Sequence, residues 1–274
     1  MSRGAEPKKR SEPEAEQPRP SRMTSGSGRS SQPSDPWEDH ARWWQDEFTE
    51  GADPEYTEQI LPLVAANLPG GGGRLLDVGC GDGQVARVAA AAGLDVVGVD
   101  PAWAQVSVAS TRYGARVDYV RGGAAALPFR SAAFDVAVAC LVFEHIVELD
   151  DAIAEVARVI APGGRFLFLL NHPLLQTPGS GWIDDQVLDP PEQYWRVGEY
   201  LTEASTVEEV QRGVFIRFEH RPLSRYVNAL ASHGLVLEHM EEPSPPPGFL
   251  ARAEEYASAS TIPRLLFLRL VKTG

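Results

Sequence analysis

The sequence predicts an α/β protein built on an open, mostly parallel sheet with helices on both faces. Two observations carry this expectation. Between Arg74 and Leu170, short apolar runs alternate with segments of helical periodicity. The apolar runs are continuous rather than alternating, the pattern of parallel strands buried on both faces. Right-handed crossovers then wind such units into one open sheet.

The elements follow in order. Residues 1–34 contain no aromatic residue and are dominated by Ser, Pro, Gly and charge. They cannot bury enough surface to offset ordering entropy and are expected to be a disordered tail. Residues 35–274 are expected to form one domain. It begins with DPWEDHARWWQDEF, a helix carrying Trp37, Trp43, Trp44 and Phe48 near helical spacing. A second helix starts at Asp53 as N-cap with Pro54 in the first turn. It runs to about Leu68, where PGGGG breaks the chain.

RLLDV is the first strand and GQVARVAAAAG a helix closed by Gly93. DVVGV is the second strand, followed by PAWAQVSVASTRYG, a helix closed by Gly114. RVDYV and FDVAVAC are the third and fourth strands, DDAIAEVARVI a helix and RFLFLL the fifth strand. The rhythm breaks over residues 171–221, an aromatic-rich insertion in which YWRVGEYL and GVFIRFEH are expected to pair as a hairpin. It resumes with PLSRYVNALASHG, a helix stopped by Gly234. Two strands, LVLEHMEE and RLLFLRLVK, complete the sheet, the last expected to be antiparallel.

Composition narrows the function. The net charge is −13; seven of 25 basic and four of 38 acidic residues lie in 1–34, so residues 35–274 carry −16. So acidic a body repels nucleic-acid phosphates and anionic membranes. No apolar run approaches the roughly 18 residues that span a bilayer. The N-terminus lacks the apolar core of a secretory signal, so a cytoplasmic location is expected. Cys80 and Cys140 sit in apolar runs with no zinc-type spacing, so no metal site is expected.

The informative stretch is DVGCGDG, residues 77–83. A dinucleotide fingerprint needs G-x-G-x-x-G, but here the third glycine comes one residue early, at Gly83. No GK[ST] follows, which excludes a Walker A loop. Asp77 points a carboxylate towards any ligand over the turn, unfavourable beside a pyrophosphate but suited to an ammonium or sulfonium group. The helix that follows can take a carboxylate at its N-terminus. Asp100, ending the second strand, is placed for ribose hydroxyls. A ligand with ammonium, carboxylate, sulfonium and ribose is S-adenosylmethionine.

DVGCGDG, VVGVD, LPFRSAAFDVAVACLVFEHI and LDDAIAEVARVIAPGGRFLF, in that order over residues 74–170, resemble the successive motifs of class I S-adenosylmethionine-dependent methyltransferases. The resemblance is closest to the small-molecule branch that includes menaquinone-type C-methyltransferases. It implies a Rossmann-like sheet and a methyl transfer from S-adenosylmethionine to a small organic acceptor. It also implies that Asp77, Gly79, Gly81 and Gly83 line the methionine end of the cofactor. Asp100 would take the ribose and Pro101 would lie against the adenine. The family's Gly-Asp-Ala before Leu-Pro-Phe is here Gly122-Gly123-Ala124, so backbone at Gly123 and Ala124 would serve the adenine. Cys140 and Leu141 would sit near the methyl sulfonium.

Ligands of open α/β sheets bind beyond the carboxyl ends of the strands. With the cofactor over strands one to three, the acceptor falls over strands four and five. Those ends carry Glu144, His145 and His172. His suits proton removal at neutral pH, with His172 ranked first because it opens the insertion expected to wall the acceptor. A chain that binds the cofactor without turnover, as a regulator or partner, is the alternative. The DPPE at 189–192 resembles the Asp-Pro-Pro-aromatic signature of nucleic-acid amino-methylating enzymes. It lies after the wrong strand and ends in Glu192, so no flipped base is expected.

Overall fold

Strands that are apolar on both faces need helices on both sides, and the chain supplies them. The computed structural model describes residues 36–49, 52–114, 116–252 and 258–274. The tail expected at 1–34 lies outside them.

Helix α1 is Pro36–Phe48. Asp53 caps the next helical segment as expected, its Oδ1 accepting the Glu55 amide at 3.2 Å. That segment passes through a π-helical turn, Tyr56–Ile60, into α2, Leu61–Asn67. Then come β1 (Arg74–Val78), α3 (Gln84–Ala91), β2 (Asp95–Asp100), α4 (Trp103–Tyr113), β3 (Asp118–Arg121) and β4 (Phe134–Cys140). A single 3-10 turn, Phe143–His145, precedes α5 (Leu149–Val159) and β5 (Ile160–Asn171).

Two hairpins occupy the insertion. β6 (Gly181–Asp185) pairs with β7 (Glu192–Arg196), and β8 (Ala204–Gln211) pairs with β9 (Val214–His220). This corrects the expected pairing: YWR turns back on GWIDD, with Trp195 opposite Trp182, and VFIRFEH takes ASTVEEVQ. The closing turn is Arg212-Gly213, with Gly213 at φ 81°. That is a two-residue hairpin connection, which sets register locally. The chain ends with α6 (Leu223–Ser232), β10 (Leu235–Glu241), α7 (Pro247–Arg252) and β11 (Leu265–Lys272).

The main sheet has seven strands in the order β10-β11-β5-β4-β1-β2-β3. β1, β2, β3, β4 and β5 are mutually parallel, and β11 runs antiparallel between β5 and β10. The mostly parallel, Rossmann-like sheet with a C-terminal antiparallel strand is therefore the observed fold. One core cluster packs α5 and α6 on one face through Ile153, Val156, Phe166, Phe168 and Leu230. A second packs α3 and the Tyr56–Asn67 segment on the other through Tyr56, Val64, Val85, Leu167 and Phe267. Strand order reverses between β1 and β4, which opens a crevice at their carboxyl ends.

Candidate active site

The glycine turn leaves β1 at that crevice. Gly79 and Cys80 both donate to the Val99 carbonyl, at 2.8 and 3.1 Å, tying the turn to β2. Gly79 sits at φ 70°, and a Cβ there would collide with the Val142 side chain. Only glycine lets the loop after β4 close on the turn this tightly. Gly83 at φ 91° opens α3, and a Cβ there would collide with the Tyr119 hydroxyl.

A cavity of about 310 Å³ lies above this turn. Its walls include Asp77, Gly79, Gly81, Asp100 and Pro101 from the ends of β1 and β2. Gly123 and Ala124 after β3, and Cys140 and Leu141 after β4, complete them. Of the cofactor residues expected from the sequence, only Gly83 stands back from the wall, as the start of α3.

Asp77 is 1% exposed, and its Oδ2 has no hydrogen-bond partner. Burial raises its carboxyl to about 7, partly opposed by the Ala86 amide and reinforced by the charge of Asp100. Such an orphaned buried carboxylate fits a cationic ligand group, which restores the lost solvation. Asp100 spends one oxygen on the Gly81 amide and the other on the Ala102 amide, each at 2.9 Å. Its carboxylate thus shapes both loops while facing the cavity. Gly123 and Ala124 carry no polar side chain of their own, so an adenine placed against them would meet backbone groups. The residues present fit S-adenosylmethionine.

The loop after β4 closes the cavity. Leu141 adopts φ 56°, a conformation costly for a branched residue and concentrated at functional sites. The bend folds Val142–His145 back over the turn. Glu144 is 3% exposed, and its Oε1 accepts the Asn171 amide at 3.1 Å and Nδ2 at 3.0 Å. It pins this loop to the end of β5 and lines neither cavity of the site. Burial raises its carboxyl to about 7.

His145 lies on the cavity wall, half-buried, between the rings of Trp37 and Phe218, each 4.8 Å away. Its Nδ1 lies 2.8 Å from the Arg217 carbonyl of β9. A carbonyl only accepts, so Nδ1 carries the proton and Nε2 the lone pair. Burial pushes the ring's pKa down to about 4, so it is neutral at physiological pH. Arg221, 5% exposed, donates to the carbonyls of Phe143 (3.3 Å), Ile146 (2.8 Å) and Val147 (2.9 Å). One guanidinium thereby holds the whole loop that presents His145.

His145, Leu141, Tyr56, Trp37 and Trp44 also line a second, adjoining cavity of about 230 Å³. It lies over the ends of β4 and β5 and is walled by Trp43, Phe48, Asn171, Ile216 and Phe218. His172 lines neither cavity. Its Nε2 meets Glu242 Oε1 at 2.7 Å, and its Nδ1 accepts the Leu174 amide at 3.1 Å. Both ring nitrogens are engaged, so the structure separates His172 from the position that His145 holds.

Helix α1 roofs the site. Glu38 accepts the amides of Trp103 and Ala104 at the start of α4, and Gln45 donates to Gln105 at 2.9 Å. Gln84 of α3 donates to the Phe48 carbonyl at 3.0 Å. Trp44 stacks on Phe48 with centroids 4.5 Å apart. Sequence reasoning noticed these tryptophans without separating lid from core. It missed Tyr56, which reads as one more apolar position of its helix beside Ile60 and Val64. It missed Arg221 altogether, because its three partners lie 74 to 78 residues away.

Among the described residues no group of His, Cys, Asp and Glu could hold a metal ion. None of the described helices is long and apolar enough to cross a membrane.

Residues 76–168 match the model of the methyltransferase domain family. The chain is 34% identical over 179 residues to the 27-O-demethylrifamycin SV methyltransferase of Amycolatopsis mediterranei, covering 63% of this chain and 62% of that one. It is 35% identical to the O-methyltransferase resE of Aspergillus sclerotiorum over 46% of this chain and 50% of that one. The chain thus spans about half to three-fifths of these curated relatives. The crystal structure of an S-adenosylmethionine-dependent methyltransferase from Mesorhizobium loti superposes with a TM-score of 0.67 at 27% identity, covering 77% of this chain and 96% of that one. Over residues 76–168 the chain is thus similar to methyltransferase domains, in line with the resemblance read from its motifs.

Proposed function

We propose that this protein transfers a methyl group from S-adenosylmethionine to an oxygen of a small organic acceptor. The observation that carries the reading is Asp77 Oδ2, a buried, unpartnered carboxylate oxygen beside the glycine turn. A ligand ammonium satisfies it; a pyrophosphate would be repelled. Asp100 is the ribose partner and the backbone at Gly123 and Ala124 the adenine partner. The names of the relatives support an oxygen acceptor, and the acidic body supports a small molecule over nucleic acid.

The bound sulfonium supplies an already activated methyl group. The protein's part is then positioning and proton removal. The two cavities share His145 and Leu141 on their walls, so an acceptor in the second would lie next to a cofactor held in the first. His145 Nε2 takes the acceptor's proton, and the Arg217 carbonyl holds the tautomer that makes this possible. Glu144 and Arg221 fix the loop.

Titration calorimetry tests the cofactor side. S-Adenosylmethionine and S-adenosylhomocysteine are expected to bind at one site, while NADH and ATP show no heat. Tight NADH binding with none of either sulfur ligand would overturn the assignment. Incubation with labelled S-adenosylmethionine and cell extract then shows whether the label enters a low-mass product.

A further inference from the structure

We propose that the second cavity takes an uncharged, planar aromatic compound whose ring hydroxyl is the methyl acceptor. This rests on the methyl-transfer reading above and adds the acceptor's chemical class. Three independent features of the cavity carry it.

The first is its wall. Rings form a continuous chain around it: Phe218 to His145 at 4.8 Å, His145 to Trp37 at 4.8 Å, Trp37 to Trp44 at 5.5 Å and Trp44 to Phe48 at 4.5 Å. Trp43 closes on Phe48 at 5.3 Å and Tyr56 on Trp44 at 5.9 Å. Aromatic walls favour flat π-systems through stacked and edge contacts. At about 230 Å³ the cavity is near the lower bound of organic ligand pockets, about 300 Å³, so one compact ring system fits better than a long chain.

The second is charge. The ionisable side chains at the wall besides His145 and Tyr56 are Asp53, Glu55 and Arg264. Arg264 is held by both Glu55 oxygens, at 2.8 and 3.2 Å, and stacks on Phe249 at 4.0 Å. It is committed to that carboxylate, and Asp53 leaves the wall acidic. An anionic acceptor meets no uncommitted cationic side chain there, and the Asp53 carboxylate opposes any pull from the sulfonium. A cationic acceptor meets the sulfonium across the shared wall, in surroundings of low dielectric.

The third is the proton. His145 offers Nε2 as an acceptor, so the ligand must bring a donor. A ring whose conjugate acid titrates at about 4 is a weak base. It can assist an acidic hydroxyl such as a phenol, near 10, far more readily than an aliphatic alcohol. In the step, the hydroxyl proton moves to His145 Nε2 and the oxygen lone pair forms the new C–O bond. The C–S bond breaks with its electron pair left on sulfur, giving S-adenosylhomocysteine and an aryl methyl ether. The imidazolium then releases its proton to solvent.

The test is binding by the full chain saturated with sinefungin, an analogue that cannot transfer a methyl group and keeps a positive charge in place of the sulfonium, followed by tryptophan fluorescence and calorimetry. Four probes share one outline: 2-naphthol, 2-naphthoate, 2-naphthylmethylamine and decahydro-2-naphthol. 2-Naphthol is expected to bind at least tenfold more tightly than each of the others. Phe218→Leu is expected to weaken it at least fivefold while leaving sinefungin affinity unchanged. Equal or tighter binding of the saturated alcohol removes the aromatic requirement. Preference for the carboxylate or the amine removes the neutral one. Unaltered 2-naphthol affinity in Phe218→Leu places the ligand elsewhere. Each of these results overturns the proposal and leaves the cofactor reading intact. Failure to bind sinefungin at the outset brings down both.

Discussion

Asp77 concentrates the conflict between folding and binding in one side chain. Burial raises its pKa from 3.8 to about 7. Between those values the folded state holds a proton that the unfolded chain has lost. Its contribution to stability therefore falls as pH rises from about 4 to about 7, and is flat above. Binding a ligand ammonium reverses the preference, because it favours the carboxylate. S-Adenosylhomocysteine affinity is thus expected to rise with pH across the same window, with close to one proton released per ligand at pH 5. Calorimetry in buffers of different ionisation enthalpy counts that proton. In Asp77→Asn the release should vanish; if it persists, Asp77 is not the ammonium partner. Gly79 shows the same logic in the backbone. Gly79→Ala forces a side chain into φ 70° and against Val142, at a cost of roughly 1–3 kcal/mol from the backbone alone. The expected result is a lower Tm together with weakened cofactor binding, since the turn and the loop after β4 share that contact. Both residues were legible in the sequence. An acid two positions before a glycine-rich turn has few other uses, and glycines in such a turn mark backbone that no other residue adopts.

The elements divide into those whose own pattern dictates them and those that depend on remote partners. β1, β2, β4 and β5 are read directly, because burial on both faces demands unbroken apolar runs. β8 is not: ASTVEEVQ is polar and largely exposed, so only its turn at Arg212-Gly213 announces it. The catalytic candidate followed the same division. His145 and His172 look alike as residues after strands four and five. What distinguishes them is a carbonyl 72 positions along the chain for one and a carboxylate 70 positions along for the other. The element that decides is β9, which supplies the Arg217 carbonyl and the Phe218 ring and leads into Arg221. The insertion thus orders the loop after β4 as well as walling the second cavity. Arg221→Lys keeps the charge and loses the fork that reaches three carbonyls. Amide exchange in residues 141–148 is expected to speed up markedly, with β1 and β2 unchanged and Tm lowered. The Nδ1–H signal of His145 in ¹⁵N-resolved spectra should weaken or broaden. Exchange that accelerates evenly across the chain would show a general loss of stability rather than a loosened loop.

At the scale of the whole molecule, the sheet separates stability from function along its strands. The two core clusters cover opposite faces, and the strands between them belong to both. The cavity above the glycine turn, by contrast, is lined from the carboxyl ends of β1 to β4 and by Trp37 and Trp44 of α1. The glycine turn, Leu141 at φ 56° and the unpartnered Oδ2 of Asp77 all lie at that edge. The fold therefore holds at one end a set of strained and desolvated groups that the buried strands keep in place, and a ligand relieves them locally. A ligand that binds only the folded state at about 100 times its Kd adds ~2.7 kcal/mol. For a domain of this size each kcal/mol raises Tm by about 2–4 °C, so saturation with S-adenosylhomocysteine is expected to raise it by roughly 5–10 °C. The added exchange protection should gather in residues 79–84, 100–102, 122–125 and 141–148 and in α1. The turns at the opposite edge, around Gly93 and Ala132, should stay unchanged. Protection gained at those turns instead would place the ligand at the amino ends of the strands, where neither Asp77 nor His145 could touch it.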